Sequence, residues 1–339
     1  MTRRGSGTER TKRQRRRLGL PAVGIAVSVA CSNAAVSPPG RGPSLAWGNH
    51  TFSLQHDGRD RSYIVHVPPH ASGPLPVLLA FHGGGGNAAG FQAYADLDRV
   101  ADASGFLVVY PNGTGLLQGV LLTFNSGDGC CGYARSQNVD DVGFALAVLA
   151  DLETRTRIDR RRIYATGHSN GAGMSHRLAA EQPHVVAAIA PVAASLDLAV
   201  FAPPLAVPVL QIHSVDDPRA LYDGGLGPPF PGTNHQAFHQ PVQAGLDRWI
   251  AVNGCPTTPV TVEIRTGAAG SDDEGHTASH LVWGPCTSGA EVRHWKLTGA
   301  GHGWPGNIAP STPESLIGPH TSIVIAAEEV WAFVSRFSR

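Results

Sequence analysis

Residues 162–174 combine a strand, a tight turn and the start of a helix. Ile163 opens an apolar run suited to a buried strand, residues 167–171 have the pattern G-x-S-x-G, and apolar residues at helical spacing follow. Together these features predict a nucleophile elbow, where glycines let a serine hydroxyl project above a sheet. Ser169 is then the nucleophile, and the N–H of Asn170, at a helix N-terminus, is an oxyanion donor. The alternative is an ordinary turn in a chain with 41 glycines.

The chain's neutral net charge hides an uneven distribution. Eight of the 26 Lys and Arg residues precede Leu18, where Glu9 is the sole acidic residue. Without that segment, 18 basic and 25 acidic residues remain. An acidic remainder argues against nucleic acid as a partner.

The basic N-terminal segment is typical of an export signal. Three arginines lead into the short apolar stretch 18–30, which ends in small residues. We expect residues 1–30 to be this signal, residues 31–50 to be a flexible tether, and the protein to be secreted or extracellular. Cys31 resembles the lipidated cysteine of a bacterial lipobox, so a lipid anchor to the cell envelope and simple cleavage near Ala34 both stay open. The membrane is expected as a partner only through such an anchor.

The remaining four cysteines fit an oxidising compartment. Cys255 and Cys286 are favoured as one disulfide that closes a local loop. Cys130 and Cys131 are then a vicinal disulfide or free thiols, and the crossed pairings stay open. No C-x-x-C spacing or histidine cluster accompanies these cysteines, which disfavours a metal site.

From Thr51 onward, predicted strands alternate with predicted helices. The strands are 62–67, 77–81, 106–110, 162–166, 185–194, 207–213 and 292–297, and the helices are 93–103, 142–154, 170–181 and 322–339. This alternation predicts a single α/β domain over residues 51–339, with a mainly parallel sheet and helices on both faces. Asp140 and Asp141 precede the second helix and are expected to cap it.

A glycine-rich loop follows the predicted strand 77–81. Its sequence is His82 followed by four glycines and Asn87. Exposed N–H groups after an early strand suit the second oxyanion donor of a serine hydrolase, and Gly83 and Gly84 are the candidates. A phosphate-binding loop is disfavoured because the Lys and Ser/Thr of a P-loop are missing.

Two later loops supply candidates for the acid and the base. Asp216 and Asp217 follow the predicted strand 207–213, and spacing alone does not choose between them. His302 lies in a glycine-rich loop after the strand 292–297, where the general base is expected. The chain order serine, aspartate, histidine matches that of α/β-hydrolases.

Taken together, these motifs resemble the polyhydroxybutyrate depolymerase-type esterases, which include feruloyl and acetylxylan esterases and exported bacterial lipoproteins. The resemblance is carried by five segments, namely 82–87, 125–132, 139–144, 162–174 and 301–305. It implies an α/β-hydrolase fold and a carboxylic ester hydrolase. The family pattern around the acid matches at His213 and Asp217, which selects Asp217 over Asp216. Ser214 and Val215 depart from that pattern, which affects substrate shape more than chemistry.

The resemblance also implies a mechanism without a metal or organic cofactor. Ser169, His302 and Asp217 would form the catalytic triad that hydrolyses a carboxylic ester. We expect His82 and Trp304 to contact a small or oligomeric substrate, such as a feruloyl, acetyl or hydroxybutyrate ester. A non-catalytic ligand-binding surface protein and a serine peptidase using the same triad are the alternatives.

Overall fold

The computed structural model describes residues 44–117, 119–230, 234–306 and 313–339. The predicted export signal over residues 1–30 and the two alternatives for the N-terminus, lipidation at Cys31 and cleavage near Ala34, fall outside these residues. Strand β1 begins at Gly48, so residues 48–50, which we expected in the tether, belong to the sheet.

A ten-stranded sheet forms the centre of the fold, in the order β1-β2-β4-β3-β5-β6-β7-β12-β11-β10. These strands are β1 Gly48–His56, β2 Arg59–Val67, β3 Leu75–Phe81, β4 Leu107–Pro111, β5 Ile158–His168, β6 Ala188–Val192, β7 Val209–Ser214, β10 Val260–Thr266, β11 Thr277–Trp283 and β12 Val292–Thr298. A separate two-stranded ladder pairs β8 Gly225–Leu226 with β9 Phe238–His239.

Helices cover both faces of the sheet. They are α1 Ala88–Ala95, α2 Leu97–Ser104, α3 Gly132–Ser136, α4 Asp141–Arg155, α5 Asn170–Glu181, α6 Val242–Asn253, α7 Glu314–Ile317 and α8 Ala326–Val334. Successive residues of a strand point to opposite faces, so β3 sends Leu79 into a core with α4, α5 and α6. Its neighbour Leu78 enters a second core with α1, α2 and α8.

The predicted parallel sheet is confirmed at its centre, where β4, β3, β5, β6, β7 and β12 run parallel. Both edges are antiparallel, formed by β1 and β2 on one side and by β11 and β10 on the other. Ser169, Asp217 and His302 all follow carboxyl ends of the parallel strands, which is where open α/β sheets form their ligand sites.

The predicted helix 93–103 is wrong in extent. The structure has two helices there, α1 and α2, separated by Asp96 with φ +54°. A left-handed residue cannot continue a right-handed helix, so the chain turns at Asp96 and starts again at Leu97.

Asp140 and Asp141 have different roles at the start of α4. Asp140 is the cap, because its side chain accepts a hydrogen bond of 2.8 Å from the N–H of Gly143. Asp141 is buried, pairs with Arg61 at 2.6 Å and accepts 2.7 Å from the N–H of Asn125. The capping prediction therefore holds for Asp140 and is wrong for Asp141, whose carboxylate neutralises a buried guanidinium.

Two disulfides link the four cysteines of the described chain. Cys255 pairs with Cys286, as favoured from the sequence, and Cys130 pairs with its neighbour Cys131. Across the described ranges, none of the helices is both long and apolar enough to cross a bilayer.

Candidate active site

Ser169 lies between the end of β5 and the start of α5, with φ +54° and ψ −119°. This conformation is unfavourable for a residue with a side chain, so the surrounding structure must hold it. The Ser169 N–H donates to the carbonyl of Val192 at 2.9 Å, and the Ser169 carbonyl accepts from the N–H of Ala172 at 2.9 Å. The turn is therefore fixed to the neighbouring strand on one side and to the helix on the other.

Both glycines of the G-x-S-x-G pattern are required by close packing. A Cβ on Gly171 would overlap the carbonyl of Phe81, and a Cβ on Gly167 would overlap the carbonyl of Gly171. The predicted elbow is thus present, with the glycines serving the close approach of β3, β5 and α5.

A chain of hydrogen bonds runs from Ser169 to Asp217. His302 Nε2 lies 2.9 Å from Ser169 Oγ, and His302 Nδ1 lies 2.7 Å from Asp217 Oδ2. The N–H of His302 donates to the carbonyl of Ile317 at 2.5 Å, which fixes the loop that carries the imidazole. These three side chains have the geometry of a serine hydrolase triad.

Asp217, and not Asp216, lies next to His302. The Asp217 Oδ1 atom accepts hydrogen bonds from the N–H groups of Arg219 and Ala220, at 2.7 and 2.8 Å. Asp216 is exposed and accepts 2.7 Å from the N–H of Gly299. Asp216 therefore ties the loop after β7 to the loop after β12, while Asp217 reaches His302.

The charge of Asp217 is strongly favoured although the carboxyl is buried. Burial by itself raises the pKa of Asp217, but the attraction of His302 and hydrogen bonds from His213 and His302 hold that pKa far below its usual range. The carboxylate is therefore ionised at neutral pH. An anion at this position stabilises an imidazolium at His302.

Behind this carboxylate lies a buried histidine that the sequence reasoning used only as a motif match. His213 Nε2 lies 3.2 Å from Asp217 Oδ2 and 2.9 Å from the carbonyl of Ala220. Its Nδ1 lies 3.5 Å from Gln211 Nε2, and the Gln211 amide also donates to the carbonyl of Ala194 at 3.0 Å. His213 is thus held in place to support Asp217.

The glycine-rich loop lies against the elbow. A Cβ on Gly83 would be 3.6 Å from Ser169 Cβ, and a Cβ on Gly84 would be 3.6 Å from Asn170 Cβ. The N–H of Gly86 donates to the carbonyl of Gly83 at 3.0 Å, which fixes the turn of the loop. Gly83 therefore lies beside Ser169, and Gly84 lies beside the first residue of α5.

His82 holds this loop in place through both nitrogens of its ring. It is buried, with Nδ1 2.8 Å from the carbonyl of Gly83 and Nε2 3.0 Å from the N–H of Gly113. Burial lowers the pKa of His82 to about 4, so the ring is neutral and donates through Nδ1. Both ring nitrogens are used by the backbone, and the expected contact of His82 with substrate is replaced by a loop-holding role.

Trp304 is likewise placed in the core. Its side chain packs edge-on against Phe91 with ring centroids 5.4 Å apart, and the residue is 2% exposed. The backbone N–H of Trp304 donates to Tyr94 Oη at 2.8 Å. The expected substrate contact therefore does not match its position, because the indole anchors the loop of His302 to α1.

Asn170 does more than offer its backbone N–H. Its side chain accepts 2.7 Å from the N–H of Phe124 and donates 2.9 Å to the carbonyl of the same residue. It also donates 3.0 Å to Ser126 Oγ. These bonds attach the helix N-terminus to the segment before the vicinal disulfide, a contact that only the folded chain reveals.

His168 is a second residue that sequence reasoning missed. Its Nε2 lies 2.6 Å from the carbonyl of His302, and the two rings are 5.0 Å apart. Burial, followed by the proximity of His302, lowers the pKa of His168 to about 3. The neutral ring donates to the backbone carbonyl of His302 and holds that residue next to Ser169.

The fold and the comparison with known proteins together define the class of protein. The chain aligns with the crystal structure of a thermostable esterase with a TM-score of 0.53, at 15% identity, covering 86% of this chain and 63% of that one. This likeness identifies the α/β-hydrolase fold, and the related sequences below make the protein a carboxylic ester hydrolase.

Residues 61–244 match the family model described as esterase PHB depolymerase, and the chain belongs to this family. It is 30% identical to a putative esterase, NocK, of Nocardia uniformis subsp. tsuyamanensis, over 76% of this chain and 74% of that protein. It is 25% identical to feruloyl esterase D of Neurospora crassa, over 94% of each. It is 26% identical to feruloyl esterase B of Piromyces equi, over 71% of this chain but 42% of that protein.

Proposed function

We propose that this enzyme hydrolyses carboxylic esters through an acyl-enzyme on Ser169, with His302 as the general base and Asp217 as its acidic partner. The observation that carries the proposal is the continuous hydrogen-bond chain, 2.9 Å from Ser169 to His302 and 2.7 Å from His302 to Asp217. Membership of an esterase family supports the same chemistry.

The proposed reaction has two halves. His302 takes the proton of Ser169 as Oγ attacks the ester carbonyl carbon, and the resulting imidazolium returns a proton to the leaving alcohol. Water then attacks the acyl-enzyme with His302 as base, and the imidazolium returns the proton to Ser169 Oγ as the acid is released. Gly83 or Gly84 and Asn170 donate backbone N–H groups to the oxyanion in both halves.

The relatives suggest the range of substrates. They are named as feruloyl esterases and as an acetylxylan esterase joined to a xylanase, and the family name refers to polyhydroxybutyrate. We propose feruloyl, acetyl and 3-hydroxybutyrate oligomer esters as the classes to test.

The test is hydrolysis of p-nitrophenyl acetate, methyl ferulate and a 3-hydroxybutyrate oligomer by the wild type and by Ser169→Ala. We expect kcat/KM to fall roughly 10⁴-fold or more in the variant, because the nucleophile acts as a unit with its base. The ratio among the three esters gives the acyl preference of the wild type.

Ser175→Ala is the matched control. Ser175 lies on the same helix, is buried and donates to the carbonyl of Gly171 at 3.1 Å. We expect this variant to keep its turnover within a few-fold. Equal turnover by wild type and Ser169→Ala would refute the proposed nucleophile, and cleavage of peptides but not of esters would favour a peptidase.

We also propose that the enzyme acts outside the cytoplasm. The disulfides Cys255–Cys286 and Cys130–Cys131 support an oxidising compartment. The intact mass of the mature protein distinguishes the alternatives predicted for the N-terminus. A diacylglycerol adduct on an N-terminal Cys31 would favour the lipid anchor, and an unmodified chain starting near Ala34 would favour simple cleavage.

A further inference from the structure

Residues 113–117 and 119–123 form the two arms of a hairpin whose far end is apolar, called the tip below. Thr114 and Thr123 exchange two backbone hydrogen bonds of 2.8 Å at its base. Beyond them, four large apolar side chains face solvent, and their exposed fractions are 84% for Leu116, 65% for Leu117, 51% for Val120 and 72% for Leu121. Contiguous exposed hydrocarbon of this kind marks a binding surface.

This hairpin is attached to the glycine-rich loop of the active site. The N–H of Gly85 donates to the carbonyl of Leu122 at 2.8 Å, and a Cβ on Gly85 would be 3.7 Å from Leu121 Cδ2. Gly84 alone separates Gly85 from Gly83, which borders Ser169. The apolar tip therefore begins at the rim of the catalytic site.

A second apolar feature lies on the other side of Ser169. The ladder β8–β9 pairs Leu226 with Phe238, which are 59% and 57% exposed. A Cβ on Gly227 would contact the carbonyl of Arg219, two residues after Asp217, so the ladder lies by the acid. In the sheet, β3 and β4 lie on one side of β5, and β7 lies on the other. Exposed hydrocarbon thus flanks the nucleophile on two sides.

The arrangement of the tip indicates what covers it. Leu116, Leu117, Val120 and Leu121 each expose more than half of their surface, so none of these four side chains is covered by the rest of the described chain. A single dissolved ligand or a flat solid would cover only part of this apolar surface. A fluid apolar phase can surround all of it.

We propose that this rim, Leu116, Leu117, Val120 and Leu121 with Leu226 and Phe238, inserts into the surface of an emulsified aliphatic ester and delivers it to Ser169. The inference rests on the proposed function. An ester phase is favoured over a lipid membrane because the rim borders the oxyanion loop and because residues 113–123 contain no Lys or Arg to attract anionic headgroups.

The test compares the wild type with the variant Leu116→Ser, Leu117→Ser, Val120→Ser, Leu121→Ser. Rates are measured on dissolved p-nitrophenyl acetate and on emulsified tributyrin. We expect the ratio of emulsion rate to dissolved rate to fall about tenfold or more, because the exposed hydrocarbon that would enter the droplet is gone. An unchanged ratio would overturn the inference, and so would an equal loss on both substrates.

A matched control removes exposed hydrocarbon elsewhere. Val260, Val262 and Ile264 are 55–65% exposed on β10, the edge strand farthest along the sheet from the hairpin. Their triple substitution with serine is expected to leave the emulsion-to-dissolved ratio within twofold of the wild type. A tenfold fall in this control would mean that exposed hydrocarbon anywhere on the molecule promotes adsorption, and would contradict the proposed rim.

Adsorption without turnover separates this inference from the proposed mechanism. Ser169→Ala is mixed with tributyrin droplets or with dioleoylphosphatidylcholine vesicles, and bound protein is measured after flotation. We expect binding to droplets that is lost when the four tip substitutions are added. Equal binding to the vesicles would overturn the ester phase in favour of a membrane. If the wild type binds droplets but does not turn over dissolved esters, the proposed mechanism is refuted and adsorption through the rim is still supported.

Discussion

Four hydrogen-bond donors surround the single carboxylate of Asp217. Two are the backbone N–H groups of Arg219 and Ala220, one is His302, and one is His213. Each donor stabilises part of the negative charge of Asp217. The strength with which Asp217 attracts His302 therefore depends on the other three donors. His213 is the one side chain among them that can be changed without removing the base.

We therefore predict a shift of the pH–rate profile in His213→Leu. Losing a donor to a charged group removes roughly 1.5–3 kcal/mol, or about 10–100-fold in kcat/KM if it is fully expressed in the transition state. With one donor fewer, the Asp217 carboxylate attracts a positive charge on His302 more strongly. This attraction favours the imidazolium form of His302. We expect the acidic limb of kcat/KM to move to higher pH, measured with p-nitrophenyl acetate from pH 4 to 9.

Two further variants distinguish positioning from simple damage. His213→Gln retains an N–H donor at the position of Nε2 and is expected to restore much of the lost activity. His66→Leu removes a buried histidine of β2 that pairs with Asp102 at 2.8 Å, and should not move the profile because four strands lie between β2 and β7 in the sheet order. A lower rate at every pH with an unmoved limb would contradict the role of His213.

The elements around the site show which local patterns are predictable. The elbow, the glycine-rich loop and the loops of Asp217 and His302 were all located from the sequence, because each is a short motif after a strand. The supports of the site were not located, because His168 and the side chain of Asn170 act on residues distant in sequence. The end of α1 at Ala95 was also missed, because Asp96 is not a residue type that requires a helix to end.

The elbow makes a prediction at the level of the element. In Gly171→Ala the new methyl group would overlap the carbonyl of Phe81, so α5 must move away from β3. This movement displaces the Asn170 N–H, and losing one oxyanion donor costs ~10²–10³ in rate. We expect at least that fall in kcat on p-nitrophenyl acetate, together with a lower Tm.

Gly90→Ala is the comparison, because Gly90 lies in the first turn of α1 and its nearest non-helical contact would be the Asn87 side chain at 3.3 Å. We expect unchanged kcat in that variant. Full activity of Gly171→Ala would mean that the contact with Phe81 is not needed for the turn.

At the scale of the whole molecule, the sequence predicted the parallel centre of the sheet but not its antiparallel edges. The centre alternates strands with helices, which is a pattern readable in order along the chain. The strand Thr277–Trp283 was missed, since it follows a stretch rich in Gly and Asp and gains its partners only when β10 and β12 enclose it. Both pairs join strands that are consecutive in the chain, so what the sequence lacked was a clear strand pattern at Thr277–Trp283 and not a long-range pairing signal.

A carboxylate pair between two loops gives the fold a pH dependence of its own. The N–H of Asp128 donates to the carbonyl of Asp197 at 3.0 Å, and Asp128 Oδ2 accepts 2.6 Å from the N–H of Ala199. Burial first, and then repulsion from Asp128, raises the pKa of Asp197 to about 6, although Arg135 and Arg248 lower it. The ionised Asp197 therefore destabilises the folded chain.

We predict that Asp197→Asn is more stable than the wild type above pH 6 and not below pH 4. The folded pKa of about 6 exceeds the ordinary value of 3.8, so between them the folded state binds more protons and stability falls as pH rises. At pH 8 we expect a Tm higher by roughly 2–4 °C, the shift that about 1 kcal/mol produces in a large domain. Asp159→Asn should do the opposite, because its hydrogen bond with Arg162 lowers the pKa of Asp159. A gain for Asp197→Asn that is equal at pH 4 and pH 8 would show that its charge is not the cause.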